Sequence, residues 1–145
     1  MLDFSRIHTR IEEIHKRLQT LNMRFKPLRE SQLISDEDAN AAAERHLQIA
    51  IQACLDIANH IVSSLGLERP AQETSEVFTV LAKEKIISGN LAKRLVKATG
   101  YRNVIVHDYI DVDRHLTYTN IQKRLPDLSE FAKYIERFLE KQKRR

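Results

Sequence analysis

The run from Ala43 to Leu65 constrains the fold most. Ala43, Leu47, Ala50, Cys54, Ile57, Ile61 and Leu65 recur at three- and four-residue steps, and Ile49, Ile51, Leu55, Ala58 and Val62 widen the stripe. At 3.6 residues per turn these positions form one broad apolar face. A long helix that is apolar around so much of its girth must be covered by neighbours, so it belongs at the centre of the fold. Ser35 or Asp36 can cap its start, because a side-chain oxygen there accepts from free backbone N–H groups, and Gly66 can take the left-handed conformation that stops it. Its polar line, Gln48, Gln52, Asp56, Asn59 and His60, is either a solvent edge or the wall of a cleft. Asp56 and His60 stand one turn apart, where they can pair.

The same period organises the rest. Leu2, Ile7, Ile11, Ile14, Leu18, Leu21 and Phe25 mark a first helix ended by Pro27, and Leu28 to Ser35 reads as a polar connection. Gly66 to Glu73, with Pro70, makes a loop. Thr74 or Ser75 opens a third helix that reaches about Ile87, and Ser88-Gly89-Asn90 breaks it. A fourth begins near Asn90, turns Leu91, Leu95, Ala98 and Val104 or Ile105 inward, and tolerates Gly100. Asp108 to Asp113 reads as a turn. The last helical stretch, Arg114 to about Lys141, has Leu116, Ile121, Leu125, Leu128, Phe131, Ile135 and Phe138 as its apolar side and is kinked or restarted at Pro126. No segment alternates as a strand would. The expectation is an all-α antiparallel bundle of about five helices forming a single domain over residues 1–145. A chain of this length buries about 68–70% of its unfolded surface, enough for a core without staples.

Several function classes fall away. Cys54 is the only cysteine and lies in an apolar stretch, so it reads as a buried inert thiol and a reducing cytoplasm is the expected compartment. The N-terminus carries charges where a signal peptide needs an apolar run, and no apolar stretch is long enough to span a membrane. His8, Glu12 and His15 share a face of the first helix but find no further ligand set, so no metal site is expected. The net charge of +4 favours polyanion partners only weakly. Its distribution says more: Lys83, Lys85, Lys93, Arg94, Lys97 and Arg102 meet one acid, Glu84, and Lys141-Gln142-Lys143-Arg144-Arg145 adds a second cluster.

The basic stretch runs into Tyr101-Arg102-Asn103-Val104-Ile105-Val106-His107-Asp108-Tyr109, which sets a fixed cation, a proton shuttle and a phenol within eight positions. Guanidinium binds phosphate oxygens through a planar fork of donors, and imidazole both takes and gives a proton near neutrality. On one regular helix, however, Arg102 and His107 point about 140° apart, while Arg102 and Tyr109 differ by about 20°. Either the helix ends around His107 so that Asp108 and Tyr109 fold back, or a second copy of the chain completes the site across a two-fold axis. Asn103, one turn before His107, can hydrogen-bond the ring or a substrate oxygen.

The pattern RxxxxHxY, with Asn after the Arg and Asp before the Tyr, resembles the signature of HEPN-domain ribonucleases, and the phrase from Gly100 to Tyr109 is similar to that of the HepT toxins. Leu55-Asp56-Ile57-Ala58-Asn59-His60-Ile61, the helix stop Leu65-Gly66-Leu67 and Phe131-Ala132 extend the resemblance over most of residues 45 to 140. It implies a HEPN-like homodimer whose paired motifs line a cleft. It further implies a metal-independent endoribonuclease toxin acting on cellular RNA, with transfer RNA a leading candidate. Arg102 and His107 would be catalytic, Asn103 and Asp108 supporting, and Lys93, Arg94 and Lys97 candidates for RNA contact. The implied partner is a small MntA-like nucleotidyltransferase antitoxin of a type VII-like pair that moves AMP from ATP onto Tyr109. ATP and Mg²⁺ then belong to the partner's reaction, and no cofactor need bind this chain. The alternative is a non-catalytic HEPN-like module that helps a nucleotidyltransferase hold its substrate; there the Arg and His are typically lost, and here both are present.

Overall fold

Asp3 starts the first helix: its carboxylate accepts from the Arg6 N–H, and α1 runs Phe4–Thr20 before widening into a π turn over Leu21–Phe25. The computed structural model describes residues 1–70, 74–107 and 114–144, with 74 and 103–107 described by backbone alone. Six more helices follow among the described residues: α2 Glu30–Ser35, α3 Glu37–Ser64, α4 Val77–Lys83, α5 Gly89–His107, α6 Arg114–Lys123 and α7 Leu125–Lys143. A single 3₁₀ turn, Thr74–Glu76, leads into α4. There is no strand among them, and the all-α expectation holds.

Asp36 is the residue that caps α3, through the Ala39 N–H, and Gly66 stops it at φ +67°, with the Leu67 N–H returning to the Val62 carbonyl. α3 is the central element. Ala43, Leu47, Ala50, Cys54, Ile57 and Ile61 are all buried, whereas Leu65, expected on this stripe, is exposed because it lies past the last helical turn. Two bonds set its direction against α1: the Asp3 N–H donates to His60 Nε2 at 3.0 Å, and Arg17 donates to His46 Nδ1 at 3.1 Å. Early residues of α1 thus meet late residues of α3, and the pair is antiparallel. α7 runs antiparallel to α1 as well, with Lys143 over the Phe4 ring and His15 paired with Glu136. Phe78 of α4 meets Phe131 of α7 edge-on at 5.5 Å, closing the core from the other side.

Two expectations need correction. The polar connection Leu28 to Ser35 contains α2: the Gln32 side chain accepts from the Arg29 N–H, and Leu33 is fully buried beneath the turn. One buried residue in six leaves no period to read. The third helix stops at Lys83 rather than Ile87, because Lys85 takes φ +58° and the Ile86 N–H folds back to the Leu81 carbonyl, closing the helix without glycine. The restart expected at Pro126 is found: the last stretch divides at Arg124, and Pro126 lies in the first turn of α7, where its missing N–H costs nothing. The expected bundle of about five helices thereby becomes seven among the described residues. The expected inward turn of Val104 or Ile105 and the expected turn at Asp108 to Asp113 lie outside what is described.

The polar line of α3 faces α1. Gln52 donates to Asp56, Arg10 pairs with Asp56 at 3.6 Å, and a groove of about 250 Å³ with Thr9, Glu13, Arg45 and Gln48 on its walls runs along the seam. Asp56 and His60 do not pair with each other; His60 instead receives the backbone of α1. No helix among the described residues is long and apolar enough to cross a membrane.

Candidate functional site

The inward stripe of α5 continues into the motif. Leu91, Leu95 and Ala98 are buried at steps of four and three, and Arg102 follows four residues later on the same line, half-buried. A guanidinium therefore stands where the stripe predicts an apolar residue. Tyr101, its neighbour, is 2% exposed and shares a hydrogen bond of 2.9 Å with Thr117 Oγ1 of α6, itself fully buried. Burial pushes the Tyr101 phenol well above its ordinary range, with the carboxylate of Glu44 adding in the same direction and the Thr117 bond opposing. This phenol stays neutral and structural.

α6 begins at Arg114, the first described residue after the motif. Arg114 donates to the Ile34 carbonyl of α2, and His115 pairs with Glu30. Glu44, half-buried on α3, lies within electrostatic reach of both Arg114 and Tyr101. Desolvation raises its carboxyl above the ordinary carboxylate range, and Arg114 pulls the other way. One turn earlier on the same face, Asn40 is 2% exposed, and its Nδ2 has no acceptor among the described residues. α3, α5 and α6 thus bring Glu44, Tyr101, Arg102, Arg114 and Thr117 to the two ends of the motif segment. Glu44 and Thr117 carried no signal in the sequence: Glu44 follows three alanines in an ordinary helical run, and Thr117 sits between apolar and aromatic neighbours.

The other expected residues are distributed differently. α5 continues through His107. The side chains of Asn103 and His107, together with Asp108 and Tyr109, lie outside the described residues. Lys93 and Lys97 are exposed one turn apart, and Lys93 leaves the helix about 180° from Arg102. Arg94 turns towards α7, where it hydrogen-bonds Asp127 and, at 3.1 Å, Glu130. Asp127 is 4% exposed, so the charge of Arg94 is committed to a nearly buried carboxylate, with Arg124 at 3.6 Å on the other side. Cys54 is buried, which pushes its thiol far above the ordinary range and leaves it inert. No cluster suited to a metal ion occurs among the described residues, and His15 is occupied by Glu136.

Comparison with known proteins bears on this arrangement directly. The family described as Ribonuclease HepT-like matches residues 7–135. A tRNA nuclease HepT of Aphanizomenon flos-aquae is 31% identical over 133 residues, spanning 92% of this chain and 89% of the relative. An mRNA nuclease HepT of Shewanella oneidensis is 36% identical over 91 residues, 63% of this chain and 68% of the relative. Among solved structures, the tri-AMPylated Shewanella oneidensis HEPN toxin in complex with MNT antitoxin superimposes with a TM-score of 0.81 at 30% identity, covering 94% of this chain and 98% of that one. YutE of Bacillus subtilis, at 21% identity and a TM-score of 0.85, shares the fold. With the match running through the central helix, the motif and α7, the chain belongs to the HepT-like ribonuclease family.

Proposed function

We propose that this chain is the toxin of a type VII-like toxin–antitoxin pair: a metal-independent endoribonuclease, acting as a homodimer on cellular RNA and silenced when a nucleotidyltransferase antitoxin adds AMP to Tyr109. The observation that carries the reading is the placement of Arg102 on the inward line of α5, five residues before His107 at the end of the same helix. Membership of the family supports this reading, and the chemistry of the two side chains fits it.

RNA holds its own nucleophile. The 2′-oxygen attacks the adjacent phosphorus, the bond from phosphorus to the 5′-oxygen breaks, and the products are a cyclic phosphate and a free 5′-hydroxyl. A proton leaves the 2′-hydroxyl and another must reach the departing oxygen, both tasks within the range of imidazole. The guanidinium of Arg102 balances the charge that builds on the phosphorane. Because residues 102 and 107 point about 140° apart on a regular helix, a second protomer supplies what one helix does not, and two His107 rings allow one base and one acid. This route has no step that needs a metal. ATP and Mg²⁺ serve the antitoxin.

Transfer RNA is the leading substrate, since the relative named a tRNA nuclease aligns with 92% of this chain and the one named an mRNA nuclease with 63%. The test is to express wild type and His107→Ala without a partner and to map RNA ends. New 5′-hydroxyl ends with arrested growth in wild type alone are expected. Absence of both from wild type would reject the nuclease and favour a non-catalytic module assisting a nucleotidyltransferase.

A further inference from the structure

Two basic stretches far apart in the sequence meet on one side of the bundle. Lys85, just past the end of α4, and Arg137 and Lys141 of α7 line a groove of about 400 Å³ together with Tyr134 and Phe138, with Glu84 the carboxylate at its edge. None of these three cations makes an ion pair among the described residues, whereas Arg10, Arg17, Arg94 and Arg124 are each committed to a carboxylate. Glu136 and Glu140, the nearby acids of α7, line the neighbouring groove against α1, where Glu136 pairs with His15. We propose that the groove between α4 and α7 is a second RNA-binding site, which holds the phosphate backbone of the substrate away from the bond that is cut. The assignment rests on the ribonuclease reading and deepens it.

Each part of the groove suits that ligand. Uncommitted lysine and arginine side chains neutralise phosphates and release their counterions. Tyr134 and Phe138 stand one turn apart on α7, both half-buried, and the Arg137 guanidinium lies 5.7 Å from the centre of the Tyr134 ring. Aromatic rings and guanidinium planes are surfaces on which unstacked bases lie, so the groove offers RNA a hold on bases as well as on phosphates. Lys85 adds an independent sign. It holds φ +58°, a conformation that glycine adopts with less strain, so a cation is kept where the turn itself favours glycine. The groove is also remote from the motif: α5 starts at Gly89, close after the groove residue Ile86, and Arg102 stands about 20 Å along its axis. At 3.4 Å per step that is about six base pairs of duplex. A folded RNA spans both places, and a dinucleotide does not.

The test compares the full-length chain with a triple variant, Lys85→Gly, Arg137→Gln and Lys141→Gln, and with a control that removes the same charge from exposed positions elsewhere, Arg6→Gln, Lys16→Gln and Arg24→Gln. Affinity for bulk transfer RNA is measured in a His107→Ala background against salt, and cleavage is measured on transfer RNA and on a dinucleotide. The groove variant is expected to lose at least about tenfold in affinity and about 2 in the slope of log affinity against log salt, the control much less. In cleavage its KM for transfer RNA should rise while kcat stays within about twofold, and the dinucleotide should be cut as by wild type. Unchanged affinity overturns the inference, as does an equal loss in the control or a loss that follows a lowered unfolding temperature. Unchanged RNA affinity with weakened capture of an MNT-type antitoxin overturns it in favour of a protein-docking groove. A wild type that cuts no RNA rejects the ribonuclease reading separately, because the affinity measurements decide on the groove without any cleavage.

Discussion

The hydroxyls of Tyr101 and Thr117 lie 2.9 Å apart, one 2% exposed and the other fully buried, and they join the helix that enters the motif to the helix that leaves it. Each satisfies the other where water does not reach, so removing one leaves a buried polar group without its partner. Tyr101→Phe is expected to destabilise the chain by about 1–3 kcal/mol. Tyr101→Phe combined with Thr117→Val should be less costly than the two single losses added together. Chemical denaturation of the four proteins measures the coupling; strictly additive effects would show the bond to be energetically idle.

Arg94 and its neighbours Lys93 and Lys97 separate by the same logic. Arg94 serves Asp127 and Glu130, and without it the nearly buried Asp127 keeps only Arg124 at 3.6 Å. Arg94→Ala should therefore cost stability, about 2–3 kcal/mol. Lys93→Ala and Lys97→Ala, both on exposed positions, should leave stability unchanged and weaken RNA binding. If each lysine meets one phosphate, the slope of log affinity against log salt falls by about 0.7 per lysine removed on single-stranded RNA. A salt slope that drops for Arg94→Ala but not for the lysines would reverse the assignment.

His46 sets an acid limit on the fold. Burial lowers its basicity, and Arg17, Arg24 and Lys16 add to the effect, while its Nδ1 accepts from Arg17. A histidine held below its ordinary value of 6.5 binds fewer protons folded than unfolded. Its contribution is complete above the ordinary value and is lost as pH falls through the window down to the lowered one. Between about pH 7.5 and 5.5, wild type should lose more unfolding temperature than His46→Gln, whose amide can still accept from Arg17 and does not titrate. Parallel losses in the two proteins would place the acid sensitivity elsewhere.

Helical period made most of this fold legible. The stripes of α1, α3 and α7 emerged at full length because each presents four or more apolar residues to the core. α2 escaped because it is little more than one turn long with a single buried leucine, and the end of α4 escaped because a lysine does the work expected of glycine. The candidate site divides in the same manner. Arg102 was visible through its motif, but not as a member of the inward stripe, since patterning treats a guanidinium as a surface group. Glu44 was invisible: the guanidinium that pulls on its carboxyl, Arg114, lies 70 residues away along the chain, and no local pattern joins the two.

The switch residue can be tested by elimination among the phenols. Of the four tyrosines, Tyr101 is excluded as an acceptor by burial and by its raised pKa, while Tyr118 and Tyr134 are half-buried and lie beyond the motif in the chain. Tyr109 remains, two residues past His107. An AMP group there brings a phosphodiester charge into competition with substrate phosphate for Arg102. Incubating the protein with an MNT-type nucleotidyltransferase, ATP and Mg²⁺ should add whole multiples of AMP to wild type and none to Tyr109→Phe, with intact-mass spectrometry as the readout. RNA cleavage should fall with the modified fraction in wild type and persist in Tyr109→Phe. Equal labelling of the two proteins would move the acceptor to Tyr118 or Tyr134 and separate the switch from the motif.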